Sequence, residues 1–456
     1  MRRRALEIIL RWENEGIFLS RLLRRDLGND DEPRDRALLT ELVYGPVRWR
    51  GTLDAILRAY APRGLESLKP KVLEILRQAA YQMLFLDRIP VSAVVNEAVS
   101  LAGMTFPRQV TGFVNGLLRG LARGHSPVTS AEGLPPGQVF SPEEGRIFAF
   151  DREVFPESDP ARALAHRFSH PEWLVKRWLA RHGDETTRRI LAAGNRRPSL
   201  SLRANTLRIT AGELSARFEQ AGVSHHKGPL ESLMLDHHGR VEDFPGFAEG
   251  WFQVQDLASQ TAGPLLDPQP GERVLDLCAA PGGKTTHIAA LMEDRGEVVA
   301  VDVSRERSRR IHENIKRMGL TSVRVEVRDA RTVPPGAEGS YDRVLVDAPC
   351  SNTGTLARRP EARWRILPEH LVDLPVVQLG LLRAAADLVR EGGTIVYSTC
   401  SIEREENEAV VESLVAERGD VLLTQASEWL PSAEGDGGFV ARLTRLEEGS
   451  PRGEKG

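Results

Sequence analysis

Hydrophobic positions repeat with two different periods along this chain, and the change of period divides it. Near the start, Ala5, Ile8, Ile9 and Trp12 recur at i, i+3, i+4 and i+7, the stripe of an amphipathic helix. Leu38, Leu39, Leu42 and Val43 open another helix, which Gly45-Pro46 is expected to stop. The run VLEILRQAAYQMLFL, residues 72–86, is apolar on most sides, as a helix at the centre of a bundle would be. Pro90 and Ser92 introduce SAVVNEAVSLA, and VTGFVNGLLRGLAR closes the series. Residues 1–125 therefore predict an all-α bundle, a binding or packing module with no visible catalytic constellation.

From 126 to 168 the punctuation changes. Pro127, Gly133, Pro135-Pro136-Gly137, Pro142, Pro156 and Pro160 predict a linker. Helical patterning resumes in HPEWLVKRWLARHG. The segment SLSLRANTLRI, 199–209, alternates like a strand, and AGELSARFEQAG reads as a helix, so 169–250 is expected to form a small α+β subdomain. Over 251–446 short β-branched runs alternate with helical segments: RVLDLCA (273–279), EVVAVDV (297–303), SVRVEVRDA (322–330), DRVLVDAP (342–349) and GTIVYSTC (393–400). That alternation predicts a parallel, doubly wound, Rossmann-like α/β sheet. The tail, 447–456, is expected to be disordered.

Composition narrows the classes. With 456 residues, 41% hydrophobic and 27% charged, the chain reads as a soluble protein of two or three domains. No run approaches the ~18 apolar residues that span a bilayer. Glu7, Glu13 and Glu15 argue against a signal or transit segment. A cytoplasmic monomer without a membrane partner is the expectation. The net charge of -3 excludes a uniformly basic nucleic-acid binder and directs attention to local arginine clusters. RERSRR (305–310) and RRPEARWR (358–365) are two such clusters, and only seven of the 61 basic residues are lysine. Arginine is the better planar, bidentate phosphate reader, although a general compositional bias would leave the same trace. Cys278, Cys350 and Cys400 are far apart and none belongs to a C-x-x-C pair, so neither a metal site nor a disulfide framework is expected.

VLDLCAAPGGKTTHIAALM reads as strand, glycine turn, helix. Gly282 and Gly283 let the backbone turn sharply and approach a ligand, and the helix N-terminus behind them offers free N–H groups. The turn is neither a dinucleotide fingerprint nor a Walker A loop. Asp302 falls twenty positions after Gly282 at the end of a strand, where a carboxylate holds ribose hydroxyls in Rossmann-type sites. Asp329 and Asp347 end the next two strands. Any one of these can simply cap the following helix, but three with the glycine turn point to one ligand crevice. An acidic, phosphate-poor crevice suits a cationic nucleoside cofactor, S-adenosylmethionine, ahead of NAD.

Cys350, in VDAPCSNTGT, and Cys400, in YSTCS, follow two further strands and should open onto that crevice. A methyl donor beside a thiol suits carbon 5 of cytosine, a poor nucleophile until a thiolate adds to carbon 6. The helix N-terminus after Cys400 favours its thiolate, whereas Glu403, Glu405 and Glu406 oppose it. The residues alone leave open which thiol attacks. Arg358, Arg359, Arg363 and Trp364 can pair phosphates and stack a base, or form an ordinary solvated loop.

LDLCAAPGGKTTHIA, VDVSRERSRRIHENIKRMG, VRDA, DRVLVDAPCSNTGTLARRPEARW and GGTIVYSTCSIEREENEAVV resemble the motif series of the RNA 5-methylcytosine methyltransferases. DRALLTELVYGPVRWRGTLD, AAYQMLFLDRIP, AVVNEAV and GFVNGLLR resemble an N-utilisation-substance-B-like domain. Together they are similar to the bacterial 16S ribosomal RNA cytosine-C5 methyltransferases, over nearly all of the chain except 126–168. The resemblance implies a class I methyltransferase sheet and small-subunit ribosomal RNA as substrate. It implies that Cys400 is the nucleophile and that Cys350 assists product release. It places Cys278, Ala279, Ala280, Pro281, Gly282, Gly283 and Lys284 around the amino-acid end of S-adenosylmethionine, Asp302 at its ribose, Asp329 near adenine, and Asp347 between cofactor and base. Lys284 can instead touch the substrate. Ser351 and Asn352 carry little weight, because that part of the motif varies. Arg203 and Asn205 fall in what resembles an RNA-binding appendage. Two alternatives are the same chemistry on another RNA, such as transfer RNA, and a non-catalytic RNA-binding factor.

Overall fold

The computed structural model describes residues 1–28, 31–235 and 240–447, so the tail expected to be disordered lies, but for Glu447, outside the described residues. The chain forms two compact units. The first comprises Met1–Asn195 with the short segment Arg363–Arg365, and the second begins at Arg196.

The first unit opens with helices Arg2–Glu15, Leu19–Asp26, Pro33–Arg48, Arg50–Tyr60, Pro70–Phe85, Val91–Gly103 and Arg108–Gly124. Pro70–Phe85 is buried on nearly every side, as a helix apolar on most sides predicts, and Glu74, Arg77, Gln78 and Gln82 are buried with it. Helix Pro33–Arg48 does not stop at Gly45-Pro46 but runs through them. A proline inside a helix costs about 3 kcal/mol, and here packing overrides it. Gly45, Pro46 and Val47 are buried, and the Tyr81 ring occupies the space a side chain at Gly45 would need.

Residues 126–168 are not a linker. Strands His125–Val128, Val139–Glu143 and Arg146–Phe150 pair antiparallel with the third in the middle, and helix Pro160–Arg167 follows. Phe140, Phe148, Phe150, Val154 and Phe155 join the bundle's core, where Phe140 meets Trp49 edge-on at 5.6 Å between centroids. The prolines that suggested a linker sit where a missing N–H is tolerated: Pro127 and Pro142 on edge strands, Pro160 in the first turn of a helix. Helix Glu172–Asn195, broken at Gly183 (φ 74°), also packs with this unit. By packing, this helix belongs with the first unit, so of the expected 169–250 subdomain the part from 196 onward lies in the second unit.

The second unit carries that subdomain as a four-stranded antiparallel sheet. Its spatial order is His225–Lys227, Leu233–Leu235, Leu200–Ala204, Phe252–Val254. Helix Ala211–Gln220, started by a Thr210/Glu213 capping box, sets Phe218 against Phe252.

The rest of this unit is a seven-stranded sheet: β1 Arg273–Leu277, β2 Glu297–Asp302, β3 Val323–Val327, β4 Tyr341–Asp347, β5 Val389–Thr399, β6 Val421–Trp429 and β7 Gly438–Arg445. The spatial order is β3-β2-β1-β4-β5-β7-β6. β1 to β5 are mutually parallel, as their β-branched runs predict, while β6 and β7 add an antiparallel hairpin that the sequence reading did not include. Helices Gly283–Leu291, Arg305–Met318 and His370–Leu388 supply crossovers between the parallel strands. Strand order reverses between β1 and β4, so the carboxyl ends there border the crevice where parallel sheets bind ligands.

Candidate active site

β1 ends at Leu277, and the chain turns through Cys278 (φ 62°) and Gly282 (φ 97°) into helix Gly283–Leu291. The left-handed backbone at Gly282 is open to glycine, and a Cβ there would stand 3.2 Å from the backbone of Ile311. Asp302, buried at the end of β2, braces this turn. Its Oδ2 accepts from Ala280 N at 3.3 Å, and its Oδ1 accepts from Ser304 N at 2.8 Å and Arg307 Nη2 at 2.9 Å. Asp329 follows β3 and is bonded by the Arg331 side chain and backbone, which hold its carboxyl down at about 2. Asp276, inside β1, is fully buried. Its Oδ2 accepts from Thr285 Oγ1 at 2.6 Å, while its Oδ1 has no hydrogen-bond partner among the described residues. Burial lifts its carboxyl to about 7.

Lys284 leaves the first turn of the helix, and its Nζ meets Asp347 Oδ1, at the end of β4, at 2.8 Å. Burial works against the ammonium, but Asp347 more than offsets it and raises the Lys284 pKa. This ion pair links the turn after β1 to the strand that leads into the Cys350 loop.

Cys350 follows β4 and Cys400 follows β5. The register of these neighbours pairs Asp347 with Ser398 and so aligns their ends. The two sulfurs lie 3.2 Å apart. Gly354 N donates to the Cys400 carbonyl at 3.0 Å, and Gly437 N donates to the Gly354 carbonyl at 2.8 Å. A Cβ at Gly354 would stand 2.3 Å from the Gly437 oxygen and 2.8 Å from the Cys400 oxygen, so this approach requires glycine. The bond with Cys350 holds the Cys400 thiol below its usual range, against burial. Arg359 and Lys284 assist, while Asp347 opposes. The same bond, burial and the negative charges of Cys400 and Glu406 push Cys350 well above the usual thiol range. The two sulfurs can therefore share one proton, in a setting that favours the charge on Cys400 over Cys350. Cys278 has no such help: burial, with nearby carboxylates, pushes its thiol up to about 12.

A relative from Bacillus subtilis named "Probable ribosomal RNA small subunit methyltransferase B" is 36% identical over 91% of this chain and 88% of its own length. The chain belongs to the 16S rRNA methyltransferase RsmB/F family. The family described in those words matches residues 264–442, the NusB family matches 1–123, and a Methyltr_RsmF/B-like ferredoxin-like domain matches 170–242. The "Ribosomal RNA small subunit methyltransferase B" of Salmonella paratyphi B is 33% identical over 90% of this chain and 91% of its own length. The crystal structure of PH0851 covers 97% of this chain and 98% of that one, with 28% identity and a TM-score of 0.76. As an RsmB/F-family member, the chain is an S-adenosylmethionine-dependent rRNA methyltransferase. Among the described residues, no helix is long and apolar enough to cross a membrane, and no cluster of His, Cys, Asp or Glu is placed to hold a metal ion.

The expected RNA contacts of this RsmB/F-family chain divide sharply. Arg203 and Asn205 are buried and hold the subdomain together instead of meeting RNA. Arg203 donates to Gln255 Oε1 and Thr286 Oγ1, and Asn205 donates to the Gly250 and Met318 carbonyls. Arg363 is also fully buried, donating to the Ser169 and Gly194 carbonyls and to Asn195 Oδ1. Trp364 donates to the Val47 carbonyl, and the Arg50 guanidinium lies over its ring. Arg358 is held between Asp256 and Asp436. Arg359 is exposed and donates to Asn352 Oδ1 at 2.6 Å, and the same oxygen accepts from the Cys400 thiol at 3.4 Å. Asn352 therefore matters, contrary to the expectation drawn from motif variability. It takes the left-handed conformation (φ 64°), which asparagine tolerates. Glu406, read as a charge opposing the thiolate, turns inward to the serines beside both cysteines, and Ser351 gains a role by it.

Proposed function

We propose that this methyltransferase modifies carbon 5 of a cytosine in small-subunit ribosomal RNA through a covalent bond between Cys400 and carbon 6. The observation that carries this reading is the thiol pair. Two sulfurs 3.2 Å apart, one favoured as thiolate and the other as thiol, suit a reaction that needs a nucleophile at the start and a proton to return at the end. The names of the relatives support the choice of RNA.

In this mechanism the Cys400 thiolate adds to carbon 6, and carbon 5 becomes enamine-like and nucleophilic. When bound, S-adenosylmethionine supplies an electrophilic methyl group on a sulfonium. After carbon 5 is methylated, a base removes its proton, the bond to Cys400 breaks, and the sulfur leaves with the electron pair. Cys350, holding the proton, stabilises the departing thiolate. Asp347, paired with Lys284, lies at the end of β4, from which it would orient the base. Cys278 to Gly283 would surround the amino-acid end of the cofactor, with Lys284 at its base-facing side. Asp302 would hold the ribose and Asp329 would lie near adenine. The unpartnered buried oxygen of Asp276 suits a cationic ligand. The target cytosine must leave its stack to reach Cys400, and Arg359 would take a neighbouring phosphate. The helical domain, residues 1–125, and the small sheet domain would bind RNA around the target.

Bisulfite mapping of RNA from cells with and without the gene tests the proposal. Loss of one 5-methylcytosine in small-subunit RNA is the expected result. Loss in transfer RNA alone would move the substrate, and an unchanged map would overturn the reading.

A further inference from the structure

Two thiols on neighbouring loops are chemically alike, so something outside them must decide which sulfur keeps the shared proton. Glu406 occupies the position to do so. It lies in the short 3-10 turn Arg404–Glu406 after Cys400 and is fully buried. The Tyr397 hydroxyl, from β5, donates to its carbonyl at 2.6 Å and fixes the turn.

The carboxylate is distributed unevenly between the two loops. Oε1 accepts from the backbone N–H of Ser351, the residue directly after Cys350, at 2.8 Å, and from Gln378 Nε2 at 3.1 Å. Gln378 also donates to the carbonyl of Pro349, the residue directly before Cys350. Oε2 accepts from Ser351 Oγ and from Ser401 Oγ, each at 2.5 Å. The carboxylate thus grips the Cys350 loop by the Ser351 backbone and hydroxyl, with Gln378 of the helix His370–Leu388 bridging to Pro349, and the Cys400 loop by one hydroxyl. Among the described residues, none of its bonds comes from a cation. Lys284 and Arg359 act on Cys400. Asp347 is the opposing charge there, and it is already paired with Lys284.

We propose that Glu406 is the positioning residue that makes the thiol pair unequal: it clamps the two loops at sulfur contact and places a negative charge beside Cys350, so that Cys350 keeps the proton and Cys400 carries the charge. The inference rests on the covalent reading of the thiol pair given above, but its test needs no RNA. Carboxylate–thiolate repulsion disfavours ionisation of the Cys350 sulfur; burial raises the Glu406 carboxyl above its usual range, and the donors from Ser351, Ser401 and Gln378 oppose that rise.

The experiment is site-resolved alkylation of the full chain by limiting iodoacetamide, read by peptide mass spectrometry across a pH series, with thermal melting as a fold control. Wild type should label Cys400 ahead of Cys350. Glu406→Gln retains shape and hydrogen-bonding capacity but removes the charge. It should raise the Cys350 to Cys400 labelling ratio by about tenfold, the change in thiolate fraction for one pH unit. Ser401→Ala loosens the clamp and keeps the charge, so its ratio should move much less than that of Glu406→Gln. A shift as large in Ser401→Ala, or none in a folded Glu406→Gln, overturns the proposal. If Glu406→Gln does not fold, the single-thiol proteins decide. Cys350 in Cys400→Ala must titrate at higher pH than Cys400 in Cys350→Ala, and coincident or inverted midpoints overturn the proposal. Failure of wild type to form an RNA adduct would instead strike at the covalent reading and leave the labelling result standing.

Discussion

Gly354 is where backbone contact sets the position of a reacting sulfur. In Gly354→Ala the new Cβ would stand 2.3 Å from the Gly437 oxygen, 2.6 Å from the Gly437 carbonyl carbon and 2.8 Å from the Cys400 oxygen. All three are backbone atoms and cannot swing aside. Restoring ordinary contact requires a displacement on the order of 1 Å, and overpacking of this kind costs about 1–3 kcal/mol. In a unit of this size, melting temperature should fall by roughly 2–4 °C for each kcal/mol. The larger effect is kinetic. Gly354 N bonds the Cys400 carbonyl, so the displacement acts on the loop that carries the sulfur. A misplacement of about 1 Å costs ~100-fold in rate. Single-turnover methyl transfer to small-subunit RNA, with a melting curve on the same preparation, measures both. A variant that melts and reacts like wild type would refute the argument that this backbone approach positions Cys400.

Three further outcomes follow from the geometry. Cys400→Ala should abolish both methyl transfer and covalent capture of RNA, while Cys350→Ala should capture RNA and release it slowly, as denaturing gels of the protein–RNA adduct would reveal. Arg359→Ala should weaken RNA binding and lower the salt dependence by about one phosphate contact. Arg363→Ala should instead destabilise the first unit, since burying one unpartnered acceptor costs about 1–3 kcal/mol, and it leaves three, the Ser169 and Gly194 carbonyls and Asn195 Oδ1; filter binding against melting separates the two. Asp276 predicts a pH effect. Burial raises it to about 7, so between roughly pH 4 and pH 7 the folded chain keeps a proton that the unfolded chain has lost. Its contribution is therefore full at acid pH and declines as pH rises through that window, by at most about 4 kcal/mol for three pH units. Denaturation of the cofactor-free protein should show a flatter pH profile for Asp276→Asn than for wild type.

The sheet was legible because β1, β2, β4 and most of β5 are largely buried, and their β-branched runs, like that of the more exposed edge strand β3, stand out against the intervening helices. The glycine turn, the strand-end carboxylates and the two cysteines were legible for the same reason, since parallel strands deliver their carboxyl ends to one edge. The segment 126–168 was misread because proline and glycine mark edges and first turns as readily as linkers. Only the burial of Phe140, Phe148, Phe150 and Phe155 distinguishes the two cases. Arginine was the other weak point. Arg203, Arg358, Arg359 and Arg363 look alike in sequence, yet Arg203 and Arg363 are buried on protein acceptors, Arg358 is clamped by two aspartates and Arg359 is exposed. What differs is the set of long-range partners, and no local pattern encodes it. The same holds for Glu406, whose charge reads as a hindrance until its partners Ser351 and Ser401 are seen.

The central claim is that Cys400 bonds carbon 6 of a cytosine while carbon 5 is methylated. The direct measurement uses small-subunit RNA bearing 5-fluorocytidine at the target, where fluorine replaces the proton that elimination must remove. With S-adenosylmethionine present, the adduct should persist, and peptide mass spectrometry should find the methylated nucleotide on Cys400. An adduct on Cys350, or no adduct from protein that methylates unmodified RNA, would contradict the account.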